Sequence, residues 1–325
     1  MRAIRQRVIT IAIIVLALAG LAGTLTVVLR MSQDDRTATD NTGTRGPTDS
    51  IDLAGEVAAY TSRFDPNSGY QPPTRADRTG VAQAVGLLLD GHRAQAEQRL
   101  SQLDFTLRTV VDRVSGRRYA EVADRTEYAV TPRGWGRVYL DLDSRPQWSV
   151  QVPHPVADQG SEQLGVRVLR SSPGGVLVVA GAHRKSGRNN SADVAHRRDT
   201  VFHAVCAELA RRKMPGIQVH GFAPSSAPGF DVIASTASGS LGRTEARRLA
   251  GALRDRDFHV CRAWARSCPL EGRENMQGRV AQEEHIPFLH VEFAPALRMD
   301  APAADRAASA VASVTRGWAG RSVSG

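Results

Sequence analysis

The sequence has few aromatic residues and almost no lysine, and both shortages bear on its partners. Aromatic residues make up 5% of the 325 residues, and the only lysines are Lys185 and Lys213. The formal net charge is nevertheless +9, but the arginines are spread along the chain and form no block of five or six. A basic chain without aromatic platforms or a recognisable motif is a poor candidate for nucleic-acid binding, so we expect no nucleic-acid partner.

Common catalytic motifs are missing as well. The three cysteines, Cys206, Cys261 and Cys268, form no Cys-x-x-Cys pair, which argues against a zinc ribbon or a thioredoxin-type site. The sequence contains no Gly-x-Ser-x-Gly, no P-loop, no Gly-x-Gly-x-x-Gly after a strand and no His-Glu-x-x-His. If the chain is exported, Cys261 and Cys268 are close enough in sequence to pair, whereas Cys206 falls in a helical pattern typical of a small buried residue.

The first 30 residues contain an uncharged apolar run from Val8 to Leu29, preceded by Arg2, Arg5 and Arg7. Roughly 20 apolar residues in a helix span a bilayer, so the run predicts a single-pass signal anchor in the cell membrane. The positive flank predicts a cytoplasmic start and an extracytoplasmic body. Alternatively, the run is a cleaved signal peptide and the protein is secreted, although the small residues that suit cleavage lie inside the run.

Composition divides the rest of the chain into two parts. Residues 31–74 are predicted to form a flexible stalk, because Ser32–Ser50 is polar and Asp65–Pro73 is rich in structure-breaking residues. Residues 75–325 are predicted to form one folded domain.

Short apolar strands alternate with helical patterns in this domain. Strands are predicted at 107–111, 119–122, 137–142, 148–152, 176–180, 217–221, 230–235, 258–263 and 288–293, and helices at 81–89, 95–103, 161–169, 193–212, 243–254 and 303–314. The alternation predicts an α/β fold, a three-layer sandwich with a mostly parallel central sheet. Such sheets bind ligands beyond the carboxyl ends of their strands, which directs attention to the polar residues there.

Histidines and carboxylates stand at the ends of the predicted strands. His154 and Asp158 follow one strand and His183 follows the next, while Glu292 lies in the last strand. Two imidazoles and one carboxylate can hold a zinc ion that keeps a fourth position for water and lowers the pKa of that water. A separate buried carboxylate, as Glu292 would be in an apolar strand, has the raised pKa that suits a general base.

The segment from His154 to Glu162 resembles the first zinc-binding segment of the zinc-dependent amide hydrolases of the phosphorylase/hydrolase-like fold. That group includes poly-γ-glutamate hydrolases, N-formylglutamate amidohydrolases, carboxypeptidase-like exopeptidases and N-acetylmuramoyl-L-alanine amidases. The resemblance implies that His154, Asp158 or Glu162, and His183 bind Zn²⁺, and that Glu292 is the catalytic base. Asp158 stands where Glu is more usual in the group, and no Gly-Gly follows His154.

The ligand set has alternatives. Asp158 is well placed to cap the helix that begins near Gly160, in which case Glu162 is the carboxylate ligand. His196, on a predicted helix, and His290, which points the same way as the predicted base two residues later, are alternative ligands. Strand-end histidines that do not converge are ordinary hydrogen-bonding residues.

A dense polar loop before the last strand offers candidate substrate contacts. Arg262 and Arg273 can grip a carboxylate, and Asn275 and Gln277 can hold an amide. Arg184, elsewhere in the chain, is a further candidate for the carboxylate. Alternatively, the loop is an exposed arginine-rich segment without a ligand.

Together these features predict a membrane-anchored, extracytoplasmic, zinc-dependent hydrolase that cleaves an amide bond. The substrate would be peptide-like and acidic, such as a cell-wall peptide or a glutamate polymer, since the net positive charge suits an anion. The alternative from another class is a non-catalytic cell-envelope protein whose arginine-rich surface binds an acidic polymer. A third interpretation keeps the fold but replaces the metal with a His–Asp acid-base pair.

Overall fold

The computed structural model describes residues 48–320. The anchor predicted over 1–30, and the part of the predicted stalk up to residue 47, lie outside these residues. Within the described range, no helix is both long and apolar enough to cross a bilayer.

A single ten-stranded sheet lies at the centre of the described residues. Its strands are β1 (Thr48–Ile51), β2 (Phe105–Asp112), β3 (Arg118–Asp124), β4 (Arg137–Asp141), β5 (Trp148–Val152), β6 (Gly175–Val179), β7 (Gly216–Gly221), β8 (Val232–Ser235), β9 (Val260–Arg262) and β10 (Phe288–Phe293). Their order across the sheet is β1-β2-β3-β4-β6-β5-β7-β10-β8-β9, and the central strands β6, β5, β7 and β10 run parallel. The predicted α/β class with a mostly parallel central sheet is confirmed.

Helices cover both faces of this sheet. They are α1 (Leu53–Thr61), α2 (Arg75–Leu89), α3 (Arg93–Ser101), α4 (Ser161–Ser171), α5 (Val201–Arg211), α6 (Arg243–Arg254), α7 (Met276–Glu283), α8 (Pro295–Met299) and α9 (Ala301–Ala319). Helices α1, α4, α6 and α9 share one hydrophobic cluster with the sheet, and α2, α3 and α5 share another.

Strand β6 shows why the two clusters lie on opposite faces. Leu177 and Val179 belong to the first cluster, whereas Val176 and Val178 belong to the second. Successive side chains of a strand point to opposite faces, so a strand covered on both sides must be apolar at every position. This accounts for the uninterrupted apolar run from which β6 was predicted.

The folded domain begins earlier than its composition suggests. Residues 48–61, assigned to the stalk by composition, form β1 and α1 instead. Leu53, Val57 and Tyr60 are buried in the first cluster. They stand four and three residues apart on one helical face, and the small residues between them, together with the polar segments on either side, conceal that face in the overall composition.

The helix predicted over 193–212 is shorter than expected and begins at Val201. Thr200 caps it, and the residues before Thr200 form turns. Val194 in these turns is buried in the second cluster, so a loop residue packed into the core extended the apparent helical pattern. The loop that replaces the first part of the predicted helix contributes to the site described below.

The carboxylate of Asp112 joins β2, α1 and α4. It accepts the backbone N–H of Leu53 at 3.1 Å, and Arg170 donates to both of its oxygens at 2.7 and 2.8 Å. Burial raises the pKa of Asp112, but hydrogen bonds from Arg170, Ser115 and Leu53 outweigh burial and lower the pKa to about 2. Because the pKa is lower in the folded than in the unfolded state, the ionised carboxylate stabilises the fold at neutral pH.

Asp112→Asn should lower the free energy of unfolding at pH 7 by about 1–2 kcal/mol, since it removes the charge that Arg170 binds. The difference from the unsubstituted protein should shrink as pH falls from about 4 towards 2, where Asp112 itself becomes protonated. Denaturant unfolding at pH 7 and pH 3 measures both effects. Asp305→Asn is the control, because that carboxylate is 64% exposed in its ion pair with Arg167 and should contribute little. Equal stability of Asp112→Asn and the unsubstituted protein at pH 7 would contradict the stabilising role of the Asp112 carboxylate.

Candidate metal centre

The site lies at the carboxyl ends of β5, β7 and β10. Glu292 of β10 is in register with His220 of β7, and His290 is in register with Gln218. The alternate residues of β10, such as Leu289, belong to the first hydrophobic cluster. The period of two therefore points all four polar side chains to the opposite face of the sheet.

The carboxylate of Asp158 lies between two imidazoles. Its Oδ2 is 3.2 Å from His220 Nδ1 and 3.4 Å from His154 Nδ1, and all three residues are buried. A tetrahedral zinc site with bonds of about 2.0–2.1 Å separates its ligand atoms by about 3.3 Å. The spacing and the donor set of His154, Asp158 and His220 therefore fit a zinc ion.

Each imidazole has a hydrogen-bond partner on its outer side. His154 Nε2 lies 2.8 Å from Asp193 Oδ1, and His220 Nε2 lies 2.7 Å from Gln218 Oε1. Donation of these Nε2–H groups leaves each Nδ1 to face Asp158. Outer partners of this kind orient metal-binding histidines and select their tautomer.

The charges at this contact favour a cation. Burial acts to raise the pKa of Asp158, but hydrogen bonds with the two histidines lower the pKa far below its usual value. Burial lowers the pKa of His220 to about 4. Burial also acts to lower the pKa of His154, but Asp158 and Asp193 outweigh it and raise the pKa. The ionised carboxylate can therefore accept a histidine N–H or bind a cation that takes the place of that proton, so metal binding here would release protons.

Glu292 lies beside the contact of Asp158 with the two histidines, and one of its carboxylate oxygens has no hydrogen-bond partner among the described residues. Its buried Oε2 and the buried Nδ1 of His290 lack partners within the described residues. Burial, followed by the charge of Asp158, raises the pKa of Glu292 to about 8. A cation at Asp158 would lower that pKa again, which suits a group that takes up and gives away a proton near neutral pH.

Three overlapping groups of metal-binding side chains occur among residues 48–320. Besides His154, Asp158 and His220, they are His154 with Asp193 and His196, and His220 with His290 and Glu292. In the second group, His196 is exposed and Asp193 is the outer partner of His154. The first and third groups are both fully buried, but only in the first does one carboxylate oxygen lie within 3.4 Å of two ring nitrogens, whereas Glu292 Oε1 lies 3.8 Å from His290 Nε2.

A cavity of about 310 Å³ opens beside the histidines. A loop that follows the Cys261–Cys268 disulfide forms one wall, and within it Cys268 N donates to Glu271 Oε1 at 2.8 Å. Gly272 has a φ of +67° and lies against the His290 ring, where a Cβ would overlap the imidazole. The wall therefore requires glycine for both its backbone conformation and its close approach.

Arg298 ties together the three segments that carry the site. Its buried guanidinium donates to the carbonyl oxygens of Phe293 at 2.9 Å, Phe222 at 3.3 Å and Gln159. These carbonyls follow Glu292, His220 and Asp158 by one or two residues. One side chain thus fixes the spacing of the base and two of the candidate ligands.

The structure brings together several, but not all, of the residues proposed from the sequence as ligands or base. His154, Asp158, His290 and Glu292 meet at the cavity, and His196 lies at its edge. His183 does not: it belongs to none of the groups in the described residues, and its Nδ1 accepts the backbone N–H of Lys185. It follows β6, which β5 separates from β7 and β10, so it cannot take the place that His220 occupies.

The structure also shows where the two candidate carboxylate ligands, Asp158 and Glu162, lie. Gly160 is the N-cap residue of α4, and no side chain caps the helix there; Asp158 faces the histidines instead. Glu162 accepts the backbone N–H of Val156 at 3.4 Å and is not among the candidate metal-binding groups of residues 48–320.

Of the five residues predicted to contact substrate, three line the cavity and two do not. Arg184, Arg273 and Asn275 line the cavity. Gln277 is buried behind it, where Nε2 donates to the carbonyl oxygen of Val194. Arg262 lies exposed on β9 and is not part of the cavity wall, so it is poorly placed for the proposed carboxylate clamp.

Besides Arg298, sequence reasoning missed three residues that the site uses. His220 and Gln218 lie inside a predicted strand, where their spacing of two was the available signal. Asp193 lies in the loop that was predicted to be a helix, and Arg184 Nη2 holds its Oδ2 at 2.7 Å. The sequence around Asp193 contains no comparable signal.

No protein-family model and no curated protein matches the chain. Similar solved structures include N-formylglutamate amidohydrolase from Ralstonia eutropha JMP134, with 14% identity over 54% of this chain and 93% of that chain and a TM-score of 0.37. A metallo-carboxypeptidase from Pseudomonas aeruginosa has 15% identity over 76% and 69%, with a TM-score of 0.38. The catalytic domain of an N-acetylmuramoyl-L-alanine amidase from Bacillus (Paenibacillus) polymyxa has 12% identity over 53% and 97%, with a TM-score of 0.34. The enzyme group that the sequence resembles is thus represented among the similar structures.

The purified protein should bind one zinc ion per chain. His154→Gln and His220→Gln should each weaken zinc binding by more than about 100-fold, because each removes a ligand nitrogen from the buried group. Elemental analysis and competition with a chromogenic chelator measure content and affinity. His183→Gln is the matched control and should bind zinc like the unsubstituted protein. If His183→Gln lost zinc and His220→Gln retained it, His154, Asp158 and His220 would not be the zinc ligands.

Proposed function

We propose that this protein is a zinc-dependent hydrolase that cleaves an amide bond in a peptide-like, acidic substrate. The supporting observation is the single carboxylate oxygen of Asp158 that lies 3.2 and 3.4 Å from two imidazole nitrogens. The buried Oε2 of Glu292, which has no hydrogen-bond partner among the described residues, supports hydrolysis over a purely structural metal.

The residues divide the chemistry between them. His154, Asp158 and His220 would hold the zinc ion, which when bound supplies Lewis-acid activation of water. Glu292 takes a proton at its buried carboxylate and delivers it to the leaving amide nitrogen. Arg298 keeps Glu292 at a fixed distance from the ligands through the three carbonyls that it binds.

Two arginines of the cavity support an acidic substrate. Arg184 and Arg273 both line it; Arg184 is paired with Asp193 and Arg273 with Glu271, and the side chain of Arg273 is 74% exposed and can reach a ligand. Guanidinium groups bind carboxylates through paired hydrogen bonds. The net charge of +9 adds long-range attraction for an anion.

The zinc-loaded protein should hydrolyse N-acyl amino acids or short peptides with glutamate beside the scissile amide. It should prefer them about tenfold or more over matched lysine compounds, because Arg273 and Arg184 would bind the glutamate carboxylate. Glu292→Gln should reduce kcat about 100- to 10,000-fold, since it cannot accept the proton. Chromatographic assay of the released amine measures both.

Glu274→Gln is the matched control, because Glu274 also lines the cavity but lies exposed at its rim. It should retain most of the activity, and Glu292→Gln should retain its zinc. Full activity of Glu292→Gln with bound zinc would contradict the role of Glu292, and preference for lysine compounds would contradict an acidic substrate.

We further propose that a membrane anchor over Val8–Leu29 holds the enzyme outside the cytoplasm, on the basis of the uncharged run and its arginine flank. Full-length protein should sediment with membranes and be digested by protease added to spheroplasts. A cytoplasmic control protein should survive the same treatment. Recovery of the full chain in the soluble cytoplasmic fraction would overturn this proposal.

A further inference from the structure

We infer that Gln218 is a positioning residue that fixes the tautomer of His220 and thereby turns its Nδ1 lone pair towards Asp158. Gln218 and His220 stand two apart on β7, so both side chains lie on the same face of the sheet. The inference rests on the proposed function only where it concerns metal binding. The hydrogen-bond argument itself requires no metal.

Asn275 provides the first anchor for the orientation of the Gln218 amide. The backbone N–H of Gly278 donates to one end of the Asn275 side chain at 2.9 Å, so that end is the oxygen. The other end is the NH₂ group, and it contacts Gln218. An NH₂ group needs an acceptor, so the Gln218 atom that it meets is Oε1.

Gln277 provides a second, independent anchor. One end of its amide lies 2.9 Å from the carbonyl oxygen of Val194, so that end is the NH₂ group. Its Oε1 therefore faces Gln218 and accepts from Gln218 Nε2 at 3.2 Å. Both anchors give Gln218 the same orientation, and all three amides are buried.

The orientation of Gln218 determines which nitrogen of His220 carries the proton. Gln218 Oε1 lies 2.7 Å from His220 Nε2 and has only lone pairs to offer, so Nε2 carries the hydrogen. Metal binding requires the neutral form of the ring. A neutral imidazole has one N–H, so Nδ1 presents a lone pair to Asp158 Oδ2 at 3.2 Å.

The opposite orientation of Gln218 would close the site. Its NH₂ group would then donate to His220 Nε2, and the proton of His220 would move to Nδ1. That N–H would donate to Asp158 and occupy the place of a cation. Two backbone groups, the N–H of Gly278 and the carbonyl of Val194, thus select the metal-binding tautomer through a relay of buried amides.

Histidine ¹⁵N NMR of the metal-free protein at pH 7.5 tests this directly. His220 Nε2 should be protonated, with its signals assigned from His220→Gln. A neutral ring with its proton on Nδ1 would overturn the inference. The measurement uses the unsubstituted full chain, so the folding of a variant does not limit it.

Variants test whether Gln218 is responsible. Gln218→Met removes the acceptor and should populate the Nδ1–H tautomer and weaken zinc binding about 10- to 100-fold. Gln218→Glu keeps an oxygen acceptor and should retain the Nε2–H tautomer. Gln151→Met is the matched control, because Gln151 Oε1 accepts from Gln218 Nε2 but lies away from His220. It should leave the tautomer unchanged and zinc affinity within about threefold.

The outcomes separate this inference from the proposed function. Zinc binding with an Nδ1–H tautomer in the metal-free protein would overturn the positioning role and leave the hydrolase proposal standing. An Nε2–H tautomer without any zinc binding would support the relay and overturn the hydrolase proposal. An unchanged tautomer in a folded Gln218→Met would overturn the relay alone.

Discussion

Two buried imidazole nitrogens point at one buried carboxylate oxygen, and the rest of the site is arranged around that contact. Asp158, His154 and His220 are buried, and a buried ionised carboxylate needs either N–H donors or a cation. The hydrogen bond from His154 to Asp193 and the hydrogen bond from His220 to Gln218 fix the orientation of the two rings, so that each Nδ1 faces Asp158. The arrangement is the one that a metal ion stabilises.

The fold produces this contact through strand register and one buried cation. Parallel strands bring the carboxyl ends of β5, β7 and β10 to one edge, and their side-chain period of two places polar residues on the face opposite the first hydrophobic cluster. Arg298 then joins the three chain segments through backbone carbonyls. Arg298 binds backbone carbonyls and not the carboxylates. Asp158 and Glu292 therefore keep their capacity to bind a cation or a proton.

The central strands could be predicted from the sequence because burial on both faces leaves an uninterrupted apolar run, as in β6. His154 and Asp158 could be proposed because they follow such a strand. His220 could not be separated from an ordinary strand residue, since its importance comes from a neighbour, Glu292, that is distant in sequence. Strand ends alone favour His183 instead, because they do not reveal that β6 lies on the far side of β5.

A zinc-edge anomalous difference map from crystals of the zinc-loaded protein tests the central claim most directly. The account predicts one strong peak within ligand distance of His154, Asp158 and His220, with Glu292 beside it and His183 apart from it. A peak located at His183, a peak between Asp193 and His196 with none at Asp158, or no ordered zinc would contradict the account.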